Sequence, residues 1–117
     1  MAQYMLLLYA TEVEGKELAE READLPIWFE LSKSLEEAGL LVANGRLYPT
    51  TSATTVSAMS GETELTDGPF ATTKEALAGY YVIEANNLDE ALNVAKRVPL
   101  IRYGRVEVRP LMDLDLE

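Results

Sequence analysis

Two residue types are missing from this chain of 117 residues: it has no cysteine and no histidine. The first absence excludes disulfides, thiolate nucleophiles and cysteine-ligated zinc or iron–sulfur sites. The second removes the side chain best suited to proton transfer near neutral pH, and with it any Ser–His–Asp or Cys–His mechanism. Chemistry is left to carboxylates, Lys, Tyr, Arg, Ser and Thr hydroxyls and backbone amides. A hard cation held by oxygens stays open, although no Asp-x-Asp-x-Asp-Gly loop occurs. No cofactor is expected. Basic residues are also scarce: 10 Lys and Arg stand against 20 Asp and Glu, a formal net charge of −10. That balance argues against nucleic acid and against an anionic membrane surface as partners. No apolar run approaches the roughly 18 residues that a membrane helix needs. The run Tyr4–Ala10 is only a strand's length and lacks the basic flank and cleavage site of a signal peptide. The expectation is a cytoplasmic protein.

What is present fits one globular domain over residues 1–117, with 48% hydrophobic and 26% charged residues. The acids cluster at Glu12, Glu14, Glu17, Glu20, Glu22 and Asp24, and again at Asp113, Asp115 and Glu117. Such runs read as solvated surface. Gln3–Tyr9 reads as a strand with two apolar faces, Tyr4, Leu6, Leu8 and Met5, Leu7, Tyr9. Thr11–Arg21 reads as a loop or a loose helical turn. Asp24 and Pro26 suit the start of a helix whose buried stripe is Trp28, Leu31, Ser32, Leu35 and Ala38, with Gly39 as its stop. Leu40–Ala43 is extended, and Asn44–Gly45 is a turn signal. Thr54–Met59 and Glu62–Thr66 flank Ser60–Gly61 as a hairpin. Asp67–Gly68–Pro69 closes its second arm. Gly79–Ala85 is a second two-sided strand, Tyr80 and Val82 on one face, Tyr81 and Ile83 on the other. Asn87 and Glu90 cap a short helix with the stripe Leu88, Ala91, Leu92 and Ala95, and Pro99 ends it. Arg105–Arg109 is a last strand with Val106 and Val108 inward and Glu107 outward.

The order is two β-α-β units, the pattern of an α+β, ferredoxin-like sandwich: an antiparallel sheet with two helices on one face. The other face should then meet water, yet both inner strands carry apolar side chains there. A second copy of the chain covering that face is the economical explanation. The pattern therefore predicts a homodimer, or a higher homo-oligomer, built sheet to sheet.

The stretches Asp67–Glu75 (DGPFATTKE), Leu77–Ala85, Leu88–Ala91 and Tyr103–Pro110, with Tyr4–Tyr9 and Ala53–Val56, resemble the DGPF branch of the YCII-related family over nearly the whole chain. The resemblance implies the ferredoxin-like fold and the sheet-to-sheet dimer, a dimeric α+β barrel. Relatives with that architecture include small isomerases, monooxygenases and lactone-forming or degrading enzymes. Some members occur near or fused to alternative sigma factors, which implies a regulatory context. YCII proper carries a His–Asp pair in a pocket, and this chain has no His to supply it. Where the branch usually has Glu, this chain has Thr72.

The candidate site follows from the same stretch. Asp67 is either a turn former, accepting backbone N–H bonds, or a carboxylate held at a cleft rim as base or ligand anchor. Lys74 joins it as the second candidate catalytic residue. Lys74 and Glu75 are either a solvated pair or a grip on an anionic or carbonyl ligand. Tyr80 or Tyr81 would present a hydroxyl to the helix–sheet space or to the dimer interface. Arg46 and Arg109 would neutralise a carboxylated ligand. Two functions stand. One is a dimer that binds a small, mildly polar molecule, with or without a carboxylate, and proton transfer is the chemistry these residues suit. The other is a non-enzymatic regulatory or interaction module linked to transcription. Whether a reaction occurs is left open by the residues.

Overall fold

The computed structural model describes residues 1–113. The acids Asp115 and Glu117 lie outside the described residues. The described elements, in order, are β1 (Ala2–Ala10), α1 (Lys16–Glu22), α2 (Leu25–Glu37), β2 (Leu41–Arg46), β3 (Thr54–Ser57), β4 (Glu64–Asp67), β5 (Ala76–Ala85), α3 (Leu88–Ala95) and β6 (Gly104–Pro110). Four strands form one antiparallel sheet in the order β2-β5-β1-β6, and β3-β4 stands apart as a hairpin. The fold is α+β and ferredoxin-like: β1-α2-β2 and β5-α3-β6 are the two β-α-β units, and both helices bury against one sheet face.

The alternation in β1 decides which face that is. Tyr4, Leu6 and Leu8 are buried, and opposite them lie Ile83, Tyr81 and Gly79 of β5. Leu31 and Leu35 of α2 and Ala91, Val94 and Ala95 of α3 close the same cluster. No helix is long and apolar enough to cross a membrane among these residues.

Several local expectations needed a non-local correction. Asn44–Gly45 is not a turn. It continues β2, because Gly45 sits opposite Tyr80 and the Tyr80 ring lies over it; a Cβ on Gly45 would come within 2.8 Å of the ring. Asp24 does stand at the start of α2, but its side chain makes no cap. Its carboxylate accepts a 2.5 Å charge-assisted bond from Arg102 instead, a stronger partner than a neutral amide. Ala38, expected in the α2 stripe, is exposed at the helix C-cap, and Gly39 ends the helix at φ +72°. In α3, Leu88 and Leu92 face solvent, while Val94 is buried with Ala91 and Ala95. The α3 cap is as read: the Glu90 amide donates to Asn87 Oδ1 at 3.0 Å. The Glu90 carboxylate reaches one residue further back, to the Asn86 amide at 2.9 Å. That bond and one from the Asn86 side chain hold the Glu90 carboxyl below its ordinary 4.5. Thr11–Arg21 contains a true short helix, α1, which buries nothing of its own. Arg21 ties it down, donating to the Thr11 carbonyl at 2.6 Å and lying 4.3 Å over the Tyr103 ring. Burial raises the Tyr103 hydroxyl above its ordinary 10.0, and the Arg21 charge works against that.

Candidate functional site

The face of the sheet away from the helices carries the second set of alternating residues. Met5, Leu7 and Tyr9 of β1 lie beside Val82, Tyr80 and Leu77 of β5. A bulge sets this pattern: Leu8 pairs with Gly79 but Tyr9 pairs with Leu77, so Ala78 is the extra residue. The bulge re-phases β5 and turns Leu77 onto the apolar side. Leu47 donates to the Ala78 carbonyl at 2.9 Å, which keeps the displaced residue satisfied. On β6 the same face carries Arg105, Glu107 and Arg109, opposite Tyr9, Leu7 and Met5. The face is thus apolar along its two central strands and charged along one edge.

At one end of this face is an open groove of about 710 Å³, lined by Tyr9, Thr73, Lys74, Glu75, Arg105 and Glu107 among others. Three pieces of chain build it. β1 supplies Tyr9 at its C-terminal end. β6 supplies Arg105 and Glu107 on alternate positions. The segment before β5 crosses over to them, fixed by the Glu75–Arg105 ion pair at 3.4 Å and by Thr73 Oγ1 donating to the Glu75 carbonyl at 2.7 Å. Lys74 and Glu107 have no ion-pair partner among the described residues. Chemically, the groove presents an ammonium and a carboxylate outside any ion pair among the described residues, the Glu75–Arg105 pair and a phenol.

Of the candidates read from the sequence, Lys74 and Glu75 meet here. Glu75 pairs with Arg105 rather than with Lys74. Asp67 does not line the groove: it ends β4, opposite Thr54, and is exposed. No hydrogen bond to its side chain forms among the described residues. The turn is held by its neighbour. Gly68 adopts φ +97°, its amide donates to the Ala53 carbonyl at 2.7 Å, and its carbonyl accepts from Thr55 Oγ1 at 2.8 Å. Phe70 is 90% exposed. Tyr81 points into the helix–sheet space, its hydroxyl 2.8 Å from Ser32 Oγ and its ring stacked on Trp28 with 6.4 Å between centroids. Tyr80 lies on the open face over Gly45. Arg46 and Arg109 are on opposite edge strands, β2 and β6, and on opposite faces of the sheet. A single chain therefore does not assemble the seven residues into one site.

Tyr9, Arg105 and Glu107 were missed as site residues. A signal existed for two of them: alternation places Tyr9 with Met5 and Leu7, and Glu107 outward on β6. What alternation does not give is the pairing of Tyr9 with Arg105. Among the described residues no cluster of three or more Asp and Glu forms a metal cage.

A family model for the YCII-related domain matches residues 2–115. The chain belongs to the YCII-related domain family. It is also similar to an uncharacterized protein of Rhizobium meliloti (strain 1021), 49% identical over 77 residues. That match covers 64% of this chain and 62% of the relative, so it spans less than two thirds of the relative's length. In this member of the family, the DGPF stretch begins at the base of the hairpin and its last two residues, Lys74 and Glu75, enter the groove.

The Gly68 geometry gives a contrast to measure. Asp67→Asn is expected to leave thermal stability within about 0.5 kcal/mol, because none of the described residues leans on the carboxylate. Gly68→Ala is expected to cost about 1 kcal/mol, from strain at positive φ. Thermal melts of both variants check the pair; a large loss for Asp67→Asn alone would restore the turn role to the side chain.

Proposed function

We propose that this YCII-related protein is a homodimer that binds a small, mildly polar, carboxylated molecule in the groove beside Lys74. One observation carries the reading: Lys74 and Glu107, each without an ion-pair partner among the described residues, face one open groove whose other charges, Glu75 and Arg105, neutralise each other. A ligand carboxylate suits the ammonium, and a ligand hydroxyl or acidic C–H suits the carboxylate. The same groups suit proton transfer. Glu107 would accept the proton, and Lys74 with the Tyr9 hydroxyl would stabilise the negative charge that develops. Asp67 takes no part in a groove made from one chain.

The dimer reading rests on the open face. Its centre is apolar and its rim on β6 is charged, the usual layout of a protein interface. With a second copy stacked on it, the groove would lie at the mouth of the interface and lose solvent on one side.

A thermal-shift panel of short keto- and hydroxycarboxylates tests the binding. The expected result is an upward shift with at least one compound, weakened about tenfold in apparent affinity by Lys74→Ala and unchanged by Asp67→Asn. A shift indifferent to both Lys74→Ala and Glu107→Gln would overturn the groove as the site. The alternative, a non-enzymatic regulatory or interaction module, is favoured by the exposed β3-β4 hairpin.

A further inference from the structure

The β3-β4 hairpin is a projecting arm. Its two strands pair with each other and with no other strand among the described residues. One of its faces carries hydroxyls and a carboxylate, in the pairs Thr55–Thr66 and Ser57–Glu64. The other carries the directly opposed pair Val56–Leu65, which is 64% and 72% exposed, with the pair Thr54–Asp67 beside it at the base of the arm. A lone two-stranded hairpin is marginal in water, and an apolar cross-strand pair contributes little while both members face solvent. The whole chain registers the projection. Its radius of gyration is 16.4 Å, against about 13 Å for a compact chain of this length.

The shape also says where the arm lies. The molecule extends 51 × 45 × 19 Å. Its shortest dimension is little more than one helix layer on one sheet, so the arm stays within the slab instead of folding over either face. The connection that leads into it is fixed at the end of the sheet that carries the groove, where Leu47 donates to the Ala78 carbonyl, and the two ends of the arm are joined to each other by the Gly68 amide on the Ala53 carbonyl. A copy stacked on the open face therefore overlies a surface that the arm extends. The area points the same way. The open sheet face alone spans about 500 Å², from strand spacing and rise, and a stable dimer buries roughly 800 Å² on each partner. The arm adds about 130 Å².

We infer that the arm is a dimerisation clasp: the Val56–Leu65 face packs on a second copy of this chain, continuous with the sheet-to-sheet contact. The inference rests on the dimer proposed above and extends it. It also takes the arm away as support for a foreign partner.

Sedimentation equilibrium on the 117-residue chain and two variants of it tests it. The wild type is expected to be dimeric at micromolar concentration. Val56→Asp with Leu65→Asp changes only exposed positions of the chain, so its helix content and fold should persist by circular dichroism. Its dimer dissociation constant is expected to rise at least about 100-fold. Leu7→Glu, in the centre of the sheet face, should dissociate the dimer as well. If the arm variant keeps the wild-type constant while Leu7→Glu dissociates, the clasp is wrong and the sheet dimer stands. If the arm variant dissociates while Leu7→Glu does not, the clasp stands and the sheet contact is wrong. A wild type monomeric at tens of micromolar overturns both.

Discussion

Replacing Gly104 with alanine is expected to destabilise the fold by about 3 kcal/mol or more, enough to lower the melting temperature by roughly 10–15 °C. Gly104 opens β6 opposite Ala10. A Cβ there would stand 2.2 Å from the Tyr9 carbonyl oxygen, 2.8 Å from Leu100 Cδ2 and 3.1 Å from Ala10 Cβ. The nearest obstacle is backbone in the central strand, so no side-chain rotation relieves it. Either β6 moves off β1 or the Tyr9–Ala10 segment shifts, and both changes disturb the ladder next to the groove. Gly45 makes the informative comparison. The nearest atoms to its added Cβ all belong to the Tyr80 side chain, the first 2.8 Å away, and a ring lying on an open face can swing. Gly45→Ala should cost well under half as much. Thermal melts of the two variants read the difference. Equal losses would mean that the approach of β6 to Tyr9 is looser than it stands here. Arg105 directly follows Gly104, so the same substitution should also weaken the carboxylate binding proposed for the groove.

The architecture was legible because it depends on near-neighbour patterns. Tyr4, Leu6 and Leu8 alternate with Met5, Leu7 and Tyr9, and that alternation fixes two faces whatever the strand pairs with. Trp28, Leu31 and Leu35 likewise name one side of α2 without reference to a partner. The misreadings share the opposite property. Asn44–Gly45 carries a local turn signal, but its conformation is decided by Tyr80, 35 residues on, whose ring needs the space a side chain would take. Asp24 is a good cap by composition and is claimed by Arg102, far along the chain. The site follows the same rule. Lys74 and Glu75 were singled out by their motif, and they do line the groove. Their companions come from register: Tyr9 meets Arg105 only because β1 and β6 pair in one specific frame, and Leu77 joins the apolar face only because Ala78 bulges. Asp67 drew weight as the first residue of the motif, whereas the backbone freedom of Gly68 is what the turn uses.

Leu7→Glu is expected to separate the proposed dimer while leaving each chain folded. Leu7 lies on the central strand β1, on the face away from the helices, between Tyr80 of β5 and Glu107 of β6. In a single chain this position is only half-buried, so a glutamate there reaches water at small cost to folding. In a sheet-to-sheet dimer it is central. A carboxylate buried without a partner costs about 3–5 kcal/mol. A two-fold dimer carries the change twice, and Glu107 beside it adds like-charge repulsion. The dissociation constant should rise roughly 10⁴-fold or more. Light scattering after size exclusion reads the mass, and circular dichroism shows whether the chain remains folded. The groove gives a second readout. Its Lys74, Glu75 and Arg105 belong to one chain, so the monomeric variant should still bind a carboxylate, but more weakly, with water now reaching the side the partner covered. Binding unchanged in the monomer would place the ligand wholly within one chain, away from the interface. A folded variant that stays dimeric would mean that some other surface joins the copies and that the apolar stripe Met5–Leu7–Tyr9 has a different cover.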